Sequence, residues 1–206
     1  MVPNCSWCYR AWLLPYSKYV RGFVMDIKID RTIYSTRPDF STRLDKENRC
    51  YDVLEKLEIS FIRIDHEEAK TIEDCNDIDQ LLQTTICKNL FLCNSQKTKF
   101  YLLVLPGYKK FQTKEVSSQI GSSRLSFAPQ EYMEKFLDIT PGSVSILGLI
   151  NDTQNRVQLL IDKDILLEEY FACHPCINTT SLRMKTTDII QKFLPYVDHV
   201  PVLVEL

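Results

Sequence analysis

Ile86-Cys87-Lys88-Asn89-Leu90-Phe91-Leu92-Cys93 and Phe100-Tyr101-Leu102-Leu103-Val104-Leu105 are two β-rich runs separated by the polar stretch Asn94-Ser95-Gln96-Lys97-Thr98-Lys99. Two such runs around a short polar connection read most economically as an antiparallel hairpin, ended by Pro106-Gly107. Within the first run, Lys88 and Asn89 form a polar pair in an otherwise apolar strand. Alternation puts Lys88 on the side of Ile86 and Leu90, and Asn89 with Cys87 and Phe91 on the other. A lysine on an inward face needs an anionic partner, because an unpaired buried ammonium is costly. An edge-strand lysine whose stem covers apolar surface is the structural alternative.

Upstream of the hairpin, Ser41 or Thr42 can cap a helix with the face Leu44, Tyr51, Leu54 and Leu57, followed by a strand over Ile59–Ile64. Thr71-Ile72-Glu73-Asp74 has the form of a capping box and opens a helix to about Leu82. Downstream, a short helix over Thr113–Ile120 stops at Gly121. A strand over Ser123–Phe127 precedes a helix that starts at Pro129 and reaches Leu137. Val144–Ile150 and Val157–Ile161 flank Asn151-Asp152-Thr153-Gln154-Asn155, the pattern of a second hairpin. A strand over Thr180–Met184, a helix over Thr186–Leu194 and the apolar stretch Val200–Val204 complete the chain. Hairpins interspersed with short helices predict one α+β domain with a mixed, largely antiparallel sheet, not the strict βαβ alternation of a doubly wound fold.

Composition narrows the function. The chain of 206 residues is 45% hydrophobic and 25% charged, enough for one domain with a proper core. A formal charge of −2 and a pI near 6.0 argue against a broad phosphate-neutralising surface for long nucleic acid such as DNA. RNA contacts would be short and local. No apolar run approaches the roughly 18 residues of a membrane span. The hydrophobic stretch Ala11–Leu14 is broken by Pro15 and lacks a signal-peptide layout, so a cytoplasmic protein with reduced thiols is expected. Residues 1–24 hold both tryptophans, three basic residues and no acid. This break suggests that Met25 is the natural start, with 25–206 as the domain.

Four of the five glycines lie between positions 107 and 148. Within that region Thr140-Pro141-Gly142-Ser143-Val144-Ser145 favours a turn that presents successive backbone N–H groups to a carbonyl oxygen or phosphate; an ordinary β-turn is the alternative. His174-Pro175 followed by Asn178-Thr179-Thr180 is a second polar cluster, in which the proline forces extended geometry on the histidine. His66, between a strand and a capped helix, is a third candidate or a surface loop residue. Cys5/Cys8 and Cys173/Cys176 have the two-residue spacing of zinc ligands, but the first pair lies in the odd leader and the second overlaps the His-Pro segment. A Cys87 or Cys173 nucleophile beside His174 is also open.

Taken together, Cys87–Leu92, Tyr101–Pro106, Ser123–Ala128, Thr140–Ser145 and His174–Thr179 resemble the YbaK/ProX superfamily of aminoacyl-tRNA deacylases, in particular the free-standing prolyl-tRNA editing proteins. The resemblance runs over nearly all of Tyr51–Leu194. It implies a barrel-like sheet with surrounding helices and the hydrolysis of mischarged aminoacyl-tRNA, foremost alanine on proline tRNA, with no metal or other cofactor. Cysteine or another small amino acid is the alternative substrate, and a noncatalytic regulator binding aminoacyl-tRNA or a synthetase the alternative class.

Prolyl-tRNA synthetase is the implied protein partner. Lys88 would be the signature lysine near the terminal adenosine and its phosphate, and Gly142 with Ser143, Val144 and Ser145 would seat the ester and the attacking water. Asn89, Ser126, His174 and Asn178 would line or order the pocket, with His66 to Thr71 as its other wall. Many relatives carry proline where this chain has Ile146, which puts loop rigidity and amino-acid preference in question.

Overall fold

The computed structural model describes residues 27–206 except 69–71. The leader, Met25, Cys5, Cys8 and Thr71 with its capping box therefore lie outside the described residues. In chain order the strands are β1 (Phe61–Asp65), β2 (Lys88–Asn94), β3 (Phe100–Leu105), β4 (Leu125–Phe127), β5 (Val157–Asp162), β6 (Tyr170–Cys173), β7 (Thr180–Lys185) and β8 (Val202–Val204). The α-helices before β6 are α1 (Asp45–Lys56), α2 (Ile72–Leu82), α3 (Thr113–Gln119) and α4 (Gln130–Leu137). Thr186–Tyr196 is a composite helix with a π-turn at Ile189–Phe193.

The hairpin forms as read. β2 and β3 pair antiparallel from Lys88↔Leu105 to Cys93↔Phe100. Asn94 closes the turn, its Oδ1 accepting from the amides of Thr98 at 2.8 Å and Lys99 at 3.1 Å. Around this pair lies a five-stranded sheet in the order β4-β2-β3-β5-β8, and beside it a three-stranded sheet in the order β1-β7-β6. A single parallel bridge, Ile86↔Ala172, links the start of β2 to β6. Among the described residues the sheets do not close on themselves, so the mixed α+β fold is as expected and barrel-like only loosely.

Both faces of the larger sheet are covered. Phe91, Cys93, Leu102, Val104, Leu159 and Ile161 pack with Tyr51 and Leu54 of α1 and Phe193 of the composite helix. Leu90, Leu92, Leu103, Leu105 and Leu160 pack against Val116 of α3 on the other side. A third cluster joins Ile64, Ala172, Ile78 and Leu82, tying α2 to the smaller sheet. Burial on both faces explains why β3 reads as an unbroken apolar run. Among the described residues no helix is long and apolar enough to cross a membrane.

Two local expectations are corrected. Ser41 and Thr42 do not cap α1: Asp39 caps a separate 3-10 turn over Phe40–Thr42, accepting from the Ser41 amide at 2.9 Å. The helix then starts at Asp45 with Leu44 outside its buried face, 59% exposed. Nor is there a second hairpin. Ile146–Asn151 is a 3-10 helix in which Ser145 Oγ accepts from the Leu147 amide, and β5 runs parallel to β3 and β8. This segment presses so closely on α4 and the residues after it that a Cβ on Gly148 would meet Ile139 Cδ1 at 2.3 Å.

Candidate functional site

Polar residues of the candidate site stand where several strands of the two sheets end, but Lys88 does not join the others, because it points to the opposite face of β2 from the Gly142 loop. His66 follows β1, His174 follows β6, Thr180 opens β7, and Lys88 and Asn89 open β2. His66 Nδ1 lies 2.7 Å from the Glu67 carbonyl oxygen, and His174 Nδ1 lies 2.8 Å from the Thr180 carbonyl oxygen. A carbonyl can only accept, so each Nδ1 carries a proton. Ser181 Oγ lies 3.0 Å from His66 Nε2 and 3.4 Å from His174 Nδ1, bridging two rings whose centroids are 6.0 Å apart. Sequence reasoning missed Ser181; its signal was the hydroxyl run Thr179-Thr180-Ser181.

Burial, with a smaller push from His66, brings the His174 pKa down to about 4. The ring is therefore neutral near pH 7. Between about pH 4 and the ordinary value near 6.5 the unfolded chain binds a proton that the folded one refuses, so stability falls as the solution is acidified through that window. Wild type is expected to lose about 2 kcal/mol more than His174→Gln between pH 7 and pH 4.5 in urea unfolding. Equal losses would place the His174 pKa near its ordinary value.

Neighbours Lys88 and Asn89 diverge as alternation requires. Lys88 Nζ donates to the Lys109 carbonyl oxygen at 2.7 Å, on the side of the sheet facing α3, and burial lowers its pKa. Asn89 turns to the other face, where its Oδ1 accepts from the Ile146 amide at 3.0 Å. Proline has no amide hydrogen, so the bond that ties this loop to β2 depends on Ile146 being something other than proline.

Gly142 has φ +91°, a conformation side chains disfavour, and a Cβ there would stand 3.4 Å from Asn178 Nδ2. Asn178 Nδ2 also donates to Glu68 Oε1 at 2.8 Å, which makes it the joint between the loop and the segment after β1. The turn amides are partly engaged: Ser143 donates to the Thr140 carbonyl at 3.1 Å, while among the described residues no acceptor faces those of Gly142, Val144 and Ser145. Ser143 and Ser145 are buried, and Val144 is half-buried.

Ser126 is not brought into this group. It is exposed on β4, its Oγ 3.7 Å from Cys93 Sγ and five residues along β2 from Lys88, roughly 16 Å at strand spacing. The thiols make poor nucleophiles, since burial pushes the Cys87 pKa up to about 12 and that of Cys173 higher still. Cys176 Sγ faces Cys50 Sγ at 3.5 Å, and among the described residues no three His, Cys, Asp or Glu side chains cluster as metal ligands.

A cleft of about 500 Å³ opens between the start of α1 and the loops 140–143 and 177–179. Its lining includes Ser143 and Asn178 together with Arg43 and Glu47, which the sequence did not single out. Arg43 reaches from α1 to the strand ends, donating to Asp65 Oδ2 at 2.6 Å and Thr180 Oγ1 at 3.1 Å.

A protein-family model described as an aminoacyl-tRNA editing domain matches residues 66–192. The prolyl-tRNA editing protein ProX of Acetoanaerobium sticklandii is 32% identical over 146 residues, covering 71% of this chain and 89% of that protein. The prolyl-tRNA synthetase associated domain-containing protein 1 of Danio rerio is 25% identical over 162 residues, covering 78% and 87%. A solved structure of a candidate trans-editing enzyme for prolyl tRNA synthetase superposes with a TM-score of 0.59 at 13% identity, covering 80% of this chain and 99% of the other, a likeness of fold.

Proposed function

The chain belongs to the aminoacyl-tRNA editing domain family and is an aminoacyl-tRNA deacylase, and we propose that it acts in trans on mischarged proline tRNA, removing alanine. The observation that carries this reading is the loop at Gly142: its left-handed backbone lies beside the Asn178 amide, which stands 3.4 Å from where a Cβ would be, and Asn89 ties the residues that follow to β2. A loop held at both ends keeps its amides in place before substrate arrives, the condition for stabilising an oxyanion without reorganisation.

An aminoacyl ester is already activated, so an oriented water and fixed donors suffice for hydrolysis. The Gly142 and Val144 amides receive the developing charge on the carbonyl oxygen. Lys88 anchors the terminal adenosine and its phosphate, and His66, the neutral His174 and Asn178 order the water and the pocket wall. A synthetase pocket shaped for proline excludes alanine weakly, because missing methylenes forfeit only ~1–3 kcal/mol, and a second site small enough to reject proline supplies the missing discrimination.

The tRNA is held at its acceptor end, in keeping with the modest acidity of the chain. Of the lysines available for phosphate, Lys109 is already engaged by Asp162 and Asp164, each at 2.7 Å, which leaves Lys110 and Lys114 on the same side and Lys97 and Lys99 at the hairpin turn. Prolyl-tRNA synthetase is the protein partner and the cytoplasm the setting that this reading implies. Deacylation of alanyl-, cysteinyl-, seryl- and prolyl-tRNA(Pro) tests it. Alanyl-tRNA is expected to be cleaved fastest and prolyl-tRNA spared; comparable cleavage of the prolyl form, or none of any, would remove the reading.

A further inference from the structure

The floor of the cleft holds a carboxylate with an unanswered oxygen. Glu47 sits in the first turn of α1, and its side chain is 1% exposed. Its Oε2 is buried with no hydrogen-bond partner among the described residues. The other oxygen meets Arg43 Nη1 at 3.5 Å and Tyr51 OH at 3.4 Å, both at the long limit of a hydrogen bond. Arg43 holds that one oxygen only at long range, because the guanidinium makes its short contacts with Asp65 and Thr180. A buried carboxylate kept for stability has both oxygens paired, since an orphaned one costs the full loss of its hydration.

We propose that Glu47 receives the α-ammonium of the aminoacyl group, an assignment that rests on the deacylase reading above. The geometry is that of one cleft lined by two complementary groups. Ser143, from the loop whose amides would face the ester carbonyl, lines the same cleft as Asn178 and Glu47. In an α-aminoacyl ester the ammonium is bonded to the carbon next to that carbonyl, so a small residue presents an anion-seeking group and an incipient oxyanion side by side. The ammonium donates to Oε2 and satisfies the oxygen that the fold leaves bare.

Burial pushes the Glu47 carboxyl up to about 6, with Arg43 pulling the other way, and an arriving cation favours the ionised form further. Glu47 precedes the stretch 66–192 matched by the family, so the match does not account for its burial.

The test compares alanyl-tRNA(Pro) with lactyl-tRNA(Pro), in which a hydroxyl of nearly the same size replaces the ammonium. Wild type is expected to cleave the lactyl ester with kcat/KM lower by roughly 30-fold, the scale of one hydrogen bond to a charged group. Glu47→Gln should lower kcat/KM for the alanyl ester by a similar factor and leave the lactyl ester unchanged, its fold checked by thermal melting. Equal wild-type rates on the two esters, a comparison that needs no variant, or an equal loss on both in Glu47→Gln, would overturn the assignment alone. Failure of wild type to cleave alanyl-tRNA(Pro) would overturn the substrate reading and this assignment with it.

Discussion

Lys88→Met is expected to lower deacylation of alanyl-tRNA(Pro) by at least about 100-fold, some 2.7 kcal/mol of transition-state stabilisation, with the fold intact. Methionine keeps most of the stem and removes the ammonium, so packing and charge are separated. The strand itself does not depend on that charge: β2 is paired on both sides, and Leu90 and Leu92 on the same face are buried. The competing account assigns Lys88 the task of holding the loop after β3 through its 2.7 Å bond to the Lys109 carbonyl.

On that account the loss is one of stability, about 1.5–3 kcal/mol for a hydrogen bond to a charged group, and turnover per folded molecule is unchanged. The two accounts predict opposite patterns in one pair of measurements, initial rates and urea unfolding. Wild-type rates from a destabilised variant would assign the lysine to the scaffold. Lys88→Arg sharpens the comparison: it keeps a cation but spreads it over a planar fork, so partial activity is expected if a phosphate is the partner.

The hairpin was legible because its information is local. Alternation, a polar connection and Asn94 all lie within twenty residues, and the two polar residues in β2 stood out against an apolar background. Parallel pairing leaves no such mark. β5 joins β3 and β8 across long connections, so the apolar run Val144–Ile150 beside an Asn/Asp-rich turn looked like the partner that β5 lacked. For runs this short periodicity does not separate a strand from a buried helical turn, and burial of Ile146, Leu147 and Leu149 on one core decided it.

The site divides in the same way. Gly142, His66, His174 and Asn178 were visible as turn chemistry or polar clusters. Arg43 and Glu47 looked like an ordinary helix start, and what sets them apart is the proximity of loops about 100 and 130 residues later in the chain.

The misread turn also contains the largest expected effect on stability. Asp152 is 3% exposed and its carboxylate is answered on three sides, by the amides of Arg156 at 2.9 Å and Val157 at 2.7 Å and by His199 Nε2 at 3.2 Å. These bonds pull its pKa below the ordinary carboxylate value against the cost of burial. The residue thus does what a hairpin would have done by strand pairing: it turns the chain from the 3-10 segment into β5 and fastens the stretch before β8 to that turn.

Asp152→Ala leaves the Arg156 and Val157 amides and the His199 ring without this partner and is expected to cost about 3–5 kcal/mol, the range for breaking a buried charged pair. At roughly 2–4 °C per kcal/mol for a chain of this size, the melting temperature should fall by about 6–20 °C. Asp152→Asn retains one acceptor oxygen and should lose less. Because the folded carboxyl has the lower pKa, its stabilisation is present above the unfolded value near 3.9 and disappears as pH falls through the folded one. The gap between wild type and Asp152→Ala should therefore narrow in strong acid. A melting temperature for the alanine variant within 2 °C of wild type at pH 7 would mean that the turn is held by something other than this carboxylate.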